Sequence, residues 1–132
     1  HSFILNIHYL AESLKKDLSH LGLEPEMIVI VHSSLRKIGW INGGAFTLIL
    51  ALQEVLTKNG TLIMAAHSAD LSDPKDWTNP SVPEDWWDII KETMPPFDTR
   101  HTPTFEIGVV AEVFRSFHHV QRSYHPTCSF AA

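Results

Sequence analysis

Two hydroxyls, two cations and a glycine pair crowd the stretch His32-Ser33-Ser34-Leu35-Arg36-Lys37-Ile38-Gly39-Trp40-Ile41-Asn42-Gly43-Gly44. Ser33 and Ser34 follow the β-branched run Met27–His32, and Gly43-Gly44 opens the apolar run Ala45–Leu56. Strand, hydroxyl- and glycine-bearing loop, then helix is a layout that offers backbone N–H groups and a helix dipole to a phosphate or pyrophosphate. Arg36 and Lys37 add charge of the matching sign. The spacing is neither that of a dinucleotide fingerprint nor that of a P-loop, which disfavours both of those ligands. The competing reading is a tight turn whose glycines only let helix and strand approach each other.

A second constellation is acidic. Between Asp70 and Glu92 stand seven carboxylates against Lys75 and Lys91, so this segment carries the whole formal charge of −5. Concentrated negative charge favours a cationic partner and argues against nucleic acid. Asp70, Asp73 and Trp77 fall in the loop after a predicted strand, where carboxylates beside an aromatic platform suit a polyamine. Trp86 and Trp87 read instead as core-filling residues of the following helix. The nine histidines show no metal-ligand spacing, so no metal is expected. His32 and His67 each close a predicted strand, at the sheet edge where open α/β sheets bind ligands. His125, beside Ser123 and Tyr124, reads either as a base or as part of a strand-end turn stiffened by Pro126.

These residues need a scaffold. Ile7, Leu10, Leu14, Leu18 and Leu21 predict a helix from about Asn6 to His20, stopped by Gly22. Met27–His32 and Thr61–Ala66 read as buried parallel strands joined through helix Ala45–Leu56, which is apolar on nearly every side and therefore buried. A capping box with Pro83 at the first helical position starts a helix at Ser81–Glu84, and Met94-Pro95-Pro96 ends it. Gly108–Phe117 reads as a short helix, and Val120–Ser123 and Ser129–Ala132 as extended segments. The 132 residues, 44% hydrophobic and 19% charged, suit one globular domain. No apolar run is long enough for a membrane span and no signal-peptide pattern is present. The single Cys128 cannot form an internal disulfide, which points to the cytoplasm.

Several segments together resemble the aminoglycoside 3-N-acetyltransferase family: Val31-His32-Ser33-Ser34-Leu35 with Gly39-Trp40 and Gly43-Gly44, then Leu56-Thr57 with Gly60-Thr61-Leu62. Asp70-Leu71-Ser72-Asp73-Pro74 follows, with Trp77, Asn79-Pro80, Val82-Pro83-Glu84 and Trp86-Trp87. Met94-Pro95, Phe97-Asp98, Thr102-Pro103-Thr104, Gly108-Val109, Arg122-Ser123, His125-Pro126 and Ser129-Phe130-Ala131-Ala132 complete the series in order.

The resemblance implies an α/β fold: a three-layer α/β/α arrangement around a central, mostly parallel sheet. Residues 1–132 form the amino-terminal part of that single domain, because family members are about twice as long. It also implies acetyl transfer from acetyl-coenzyme A to the 3-amino group of an aminoglycoside antibiotic, which confers resistance. The amine must lose a proton to a general base, and the oxyanion needs preorganised donors. By resemblance His32, Ser33, Ser34, Leu35, Gly43 and Gly44 cradle the coenzyme, and Ser123 and Ser129 add hydroxyl contacts. Asp70, Asp73 and Trp77 face the polycationic substrate, an aminoglycoside or another cationic amine. The family's catalytic histidine belongs to a later motif, so no catalytic residue is assigned here and this stretch is expected to be incomplete for catalysis. The alternative is a non-catalytic remnant or binding module that keeps an acidic polyamine-binding surface.

Overall fold

The computed structural model describes residues 8–78 and 80–132. Strand β1 (His8–Tyr9) precedes helix α1 (Ala11–His20). This helix starts later than its leucine spacing suggested, because Ser13 closes its first turn on Leu10. The Ser13 hydroxyl accepts from the Leu10 N–H and donates to the Leu10 carbonyl, both at 2.9 Å. Asn6 and Ile7 lie outside the described residues. Strand β2 (Ile28–Ile30) follows, then a single-turn helix α2 (Leu35–Ile38) and strand β3 (Trp40–Ile41), both inside the stretch read as loop. Helix α3 (Gly44–Leu56) and strand β4 (Thr61–Ala65) complete the strand–helix–strand unit.

The polar segment after β4 winds into 3₁₀ turns at Ala69–Leu71, Pro74–Asp76 and Glu84–Trp86 before helix α4 (Trp87–Thr93). Pro83 caps the last of these turns, so the α-helix begins at Trp87 and not at the expected capping box. Helix α5 (Val109–Phe114) and strand β5 (Phe130–Ala131) end the order.

Helix α3 is the hub. Ala45, Leu48, Ile49, Ala51, Leu52 and Leu56 are buried against Leu14 of α1, Leu62 and Met64 of β4, and Val110, Ala111 and Phe114 of α5. Each large side chain removed from water here contributes about 1.5–3 kcal/mol. Phe46 and Leu50, on the remaining side of α3, stay exposed.

The main sheet has the order β2-β4-β5 and mixes a parallel with an antiparallel pair. Val29 lies opposite Leu62 in the parallel pair, and Met64 lies opposite Ala131 in the antiparallel one. Strands β1 and β3 form a separate parallel pair. One sheet face, carrying Leu62, Met64 and Ala131, packs on the helices. By register the opposite face carries Ile28, Ile30 and Phe130, exposed at 73%, 58% and 41%. The reading of β2 as a buried strand is therefore corrected: among the described residues helices cover one face only, and β2 stands at the edge of the sheet. Trp86 is also 53% exposed and Trp87 half-buried, so the tryptophans of this segment do not fill the core. Helix α4 buries no residue; it lies beside the Pro74–Asp76 turn as a satellite of the main body. No helix among the described residues is long and apolar enough to cross a membrane.

Candidate functional site

The carboxyl ends of the parallel strands β2 and β4 feed two loops, and two neighbouring hollows form where these loops meet residues 105–110. The first hollow, about 380 Å³, is lined by Asp70, Ser72, Asp76 and Trp77 on one side and by Phe105 and Glu106 on the other. Local chemistry positions the first wall. The Ser72 hydroxyl donates back to the Ala69 carbonyl, and the Trp77 indole N–H donates to the Ser72 hydroxyl at 3.1 Å. The indole is thereby held against the 3₁₀ turn at the border of the hollow.

Asp73 is used differently. Its carboxylate caps the Pro74–Asp76 turn by accepting from the Lys75 N–H at 3.1 Å, and it lies 3.6 Å from Lys91 Nζ. The Lys75 N–H, with the charges of Lys91 and Lys75 behind it, holds this carboxyl below its ordinary range. Asp73 thus stands at the rim of the acidic loop and not among the lining residues, whereas Asp70 and Trp77 do line the hollow.

The second wall hangs on two hydrogen-bond anchors. The Phe105 N–H donates to the His67 carbonyl at 2.8 Å, pinning the segment to the loop after β4. The Thr104 N–H donates to Glu112 Oε2 at 2.8 Å; the Thr104 hydroxyl and the Arg115 guanidinium donate to the same carboxylate. Partial burial acts to raise the Glu112 pKa, but these donors outweigh it and bring it from 4.5 to about 2. Glu106, between the anchors and helix α5, takes a left-handed φ of +57°.

The second hollow, about 470 Å³, is lined by Ser33, Ser34, Leu35 and Arg36 facing Glu106, Ile107 and Gly108. A smaller recess of about 130 Å³ lies beneath it, between His32, Ser33, Met64 and Ala111. His32, Ser33, Ser34 and Leu35 thus border these two recesses, with the Ser34 hydroxyl making no capping hydrogen bond. Gly43 and Gly44 do not line either hollow. They turn the chain into α3 with φ of +88° and +60°, and a Cβ at Gly43 would stand 2.1 Å from Thr47 Oγ1.

Ser129 is fully buried and offers no exposed atom to a ligand. Its hydroxyl donates to the Ala66 carbonyl at 2.6 Å and accepts from Arg122 Nε at 3.0 Å. Arg122 also donates to the Ala66 carbonyl at 2.7 Å and to the Thr102 carbonyl, and stacks 4.9 Å from the Phe97 ring centre. Burial and the nearby Arg115 lower the Arg122 pKa below its usual value. The His67 Nδ1–H donates to the Ser129 carbonyl at 3.0 Å, so this imidazole also serves the network under the site. Ser123 closes the same return, its hydroxyl accepting from the Phe130 N–H at 2.9 Å. His125 Nδ1 accepts from the Cys128 N–H at 2.9 Å, the arrangement of a strand-end turn, and Cys128 is exposed. No group of three or more metal-ligating side chains gathers among the described residues.

Asp76, Phe105 and Glu106 border the first hollow but were not singled out from sequence. Asp76 carried a signal in the acidic count. Phe105 and Glu106 carried none, because only their pairing with the His67 strand end brings them there.

Residues 30–132 match the family model described as aminoglycoside 3-N-acetyltransferase. The chain is 52% identical over 122 residues to the prophage-derived aminoglycoside N(3')-acetyltransferase-like protein YokD of Bacillus subtilis, covering 92% of this chain and 45% of that protein. The crystal structure of YokD superposes with a TM-score of 0.90 at 51% identity, over 93% of this chain and 46% of that one. AAC-IIIb in a binary complex with CoASH superposes at 0.75, with 29% identity over 94% and 45% of the two chains. AAC-VIa bound to sisomicin superposes at 0.77, with 28% identity over 93% and 45%. The chain thus spans about half the length of the relatives it matches.

Proposed function

The chain belongs to the aminoglycoside 3-N-acetyltransferase family, and from that premise we propose that it takes part in acetyl transfer from acetyl-coenzyme A to the 3-amino group of an aminoglycoside. The observation that carries this reading is the adjacency of two chemically different hollows at the carboxyl ends of β2 and β4. One is walled by carboxylates and aromatic rings, the other by hydroxyls and a guanidinium. Asp70 and Trp77 take the cationic amine by ion pairing and ring contact, with Asp73 adding to the negative field at the rim. His32, Ser33, Ser34 and Leu35 take the coenzyme, helped by Arg36. Gly43 and Gly44 contribute by shaping the start of α3, and Ser123 and Ser129 by holding strand β5 and Arg122 in place. That a relative binds CoASH and another binds sisomicin supports both halves of the assignment.

Acetyl-coenzyme A supplies the activated acyl group. The amine nitrogen forms the new bond to the carbonyl carbon, the thioester bond breaks, and the coenzyme leaves as its thiol. The proton lost by the ammonium needs a base. None of the site carboxylates is assigned that part, which falls to the remaining portion of the family domain. In that complete domain the sheet is central and mostly parallel in a three-layer α/β/α arrangement, with residues 1–132 as the amino-terminal part. The open face of Ile28, Ile30 and Phe130 is then the seat of the second helical layer.

Calorimetric titration with coenzyme A and with sisomicin tests the reading. Saturable binding of both, with acetylation at a single amino group by the full-length protein, is the expected result. Binding of neither refutes it; binding of sisomicin without coenzyme A leaves only an acidic polyamine-binding module.

A further inference from the structure

Glu106 is the one residue that lines both hollows. Its backbone is left-handed, at φ +57°, a conformation that disfavours side chains with a Cβ and that glycine adopts freely. The position is over-determined from both sides. Thr104 and Phe105 are tied to Glu112 and His67 just before it, and Gly108, itself at φ +85°, leads into α5 just after it. Glu26, Thr57 and His119 are also left-handed, and of these four non-glycine residues Glu106 alone lines the two hollows.

Its surroundings indicate the use. Three nearby acids are already engaged: Asp73 by Lys75 and Lys91, Asp98 by the Arg100 and His101 N–H groups, Glu112 by Thr104 and Arg115. Glu106 makes no hydrogen bond or ion pair among the described residues. On the facing wall Asp70 keeps Oδ1 fully buried without a hydrogen-bond partner, an acceptor awaiting a donor. Trp77 and Phe105 line the same hollow with their rings. A primary ammonium in the first hollow meets the Glu106 carboxylate on one side and the Asp70 side chain on the other.

We propose that Glu106 holds the acceptor ammonium of a polyamine at the boundary between the two hollows, and so selects which amino group faces the acyl donor. The inference rests on the function proposed above and names the residue that joins its two halves. It places Glu106 as a substrate-binding and specificity-determining residue. The proton and the acyl group are left to other groups.

The test uses the full-length protein, calorimetry, and two probes, sisomicin and coenzyme A. Glu106→Gln keeps the shape and removes the charge. Glu106→Gly removes the carboxylate and relieves the left-handed backbone. Both variants are expected to bind sisomicin about tenfold more weakly, the loss of one charge-assisted hydrogen bond. Both should keep coenzyme A affinity within about twofold of wild type, and Glu106→Gly should melt no lower than wild type. Sisomicin affinity unchanged in both variants overturns the inference while leaving the proposed function standing. Equal loss of both ligands overturns it too, by making Glu106 a structural residue, as does a lowered melting temperature of Glu106→Gly. A wild-type protein that binds neither probe refutes the proposed function, and this inference with it.

Discussion

Replacing Glu112 by Gln removes the charge that anchors the second wall of the site, and its effect on stability follows from the local geometry. The Glu112 carboxylate receives the Thr104 N–H, the Thr104 hydroxyl and the Arg115 guanidinium, and its pKa falls from 4.5 to about 2. At about 1.36 kcal/mol per pH unit that fall corresponds to about 3 kcal/mol of stability. The side chain is 35% exposed, so solvent screening reduces the figure to about 1–2 kcal/mol. The sign follows from linkage: the folded value is depressed, so the contribution is complete above the unfolded value near 4.5 and disappears as the pH falls toward about 2. Urea denaturation of wild type and Glu112→Gln across this range is the assay. At pH 7 the variant is expected to be less stable by about 1–2 kcal/mol, and more than half of that gap should be gone by about pH 3. Other titrating groups are common to both proteins and cancel in the difference. A gap of the same size at both pH values, or no gap at pH 7, refutes the reasoning.

Three further substitutions probe other parts of the frame. Gly60→Ala would place a Cβ 2.5 Å from the Leu56 carbonyl oxygen and 3.0 Å from that of Met27, both backbone atoms. A loss of about 1–3 kcal/mol in urea denaturation is expected, since neither neighbour can step aside without disturbing the α3–β4 turn. Arg122→Lys leaves the Ala66 and Thr102 carbonyls and the Ser129 hydroxyl sharing one ammonium in place of a planar fork. It should cost about 2–4 kcal/mol by the same measurement. Trp77→Ala is expected to weaken sisomicin binding by up to about tenfold, through loss of a cation–π wall, and to leave coenzyme A binding unchanged in calorimetry.

Features that depend on neighbours along the chain are legible before any fold is known. Helix α3 was legible as the core helix because a thirteen-residue segment, Gly44–Leu56, has only three polar side chains, yet Phe46, Leu50 and Glu54 form an exposed side that the composition did not announce. The parallel pairing of β2 with β4 followed from a strand–helix–strand order, and the end of α4 at Met94 from the two prolines that follow. Ser33, Ser34 and Leu35 were recognisable as a cluster because they leave one strand together. The acidic loop was visible as charge.

How those pieces share their atoms is settled across the fold. Whether Ser129 faces a ligand or the core depends on Arg122 arriving beside it and on Ala66 offering a carbonyl, contacts 7 and 63 residues away in the chain. Asp73 and Asp70 look alike in the loop, yet one meets a turn N–H and Lys91 while the other borders a hollow. Phe105 and Glu106 reach the site through the hydrogen bonds to His67 and Glu112, and burial of β2 depends on layers that no local pattern specifies. Periodicity and capping are set within a few residues, so they can be read in order. Pairing, desolvation and competition for donors are set across the fold, and there the same residue type takes opposite roles.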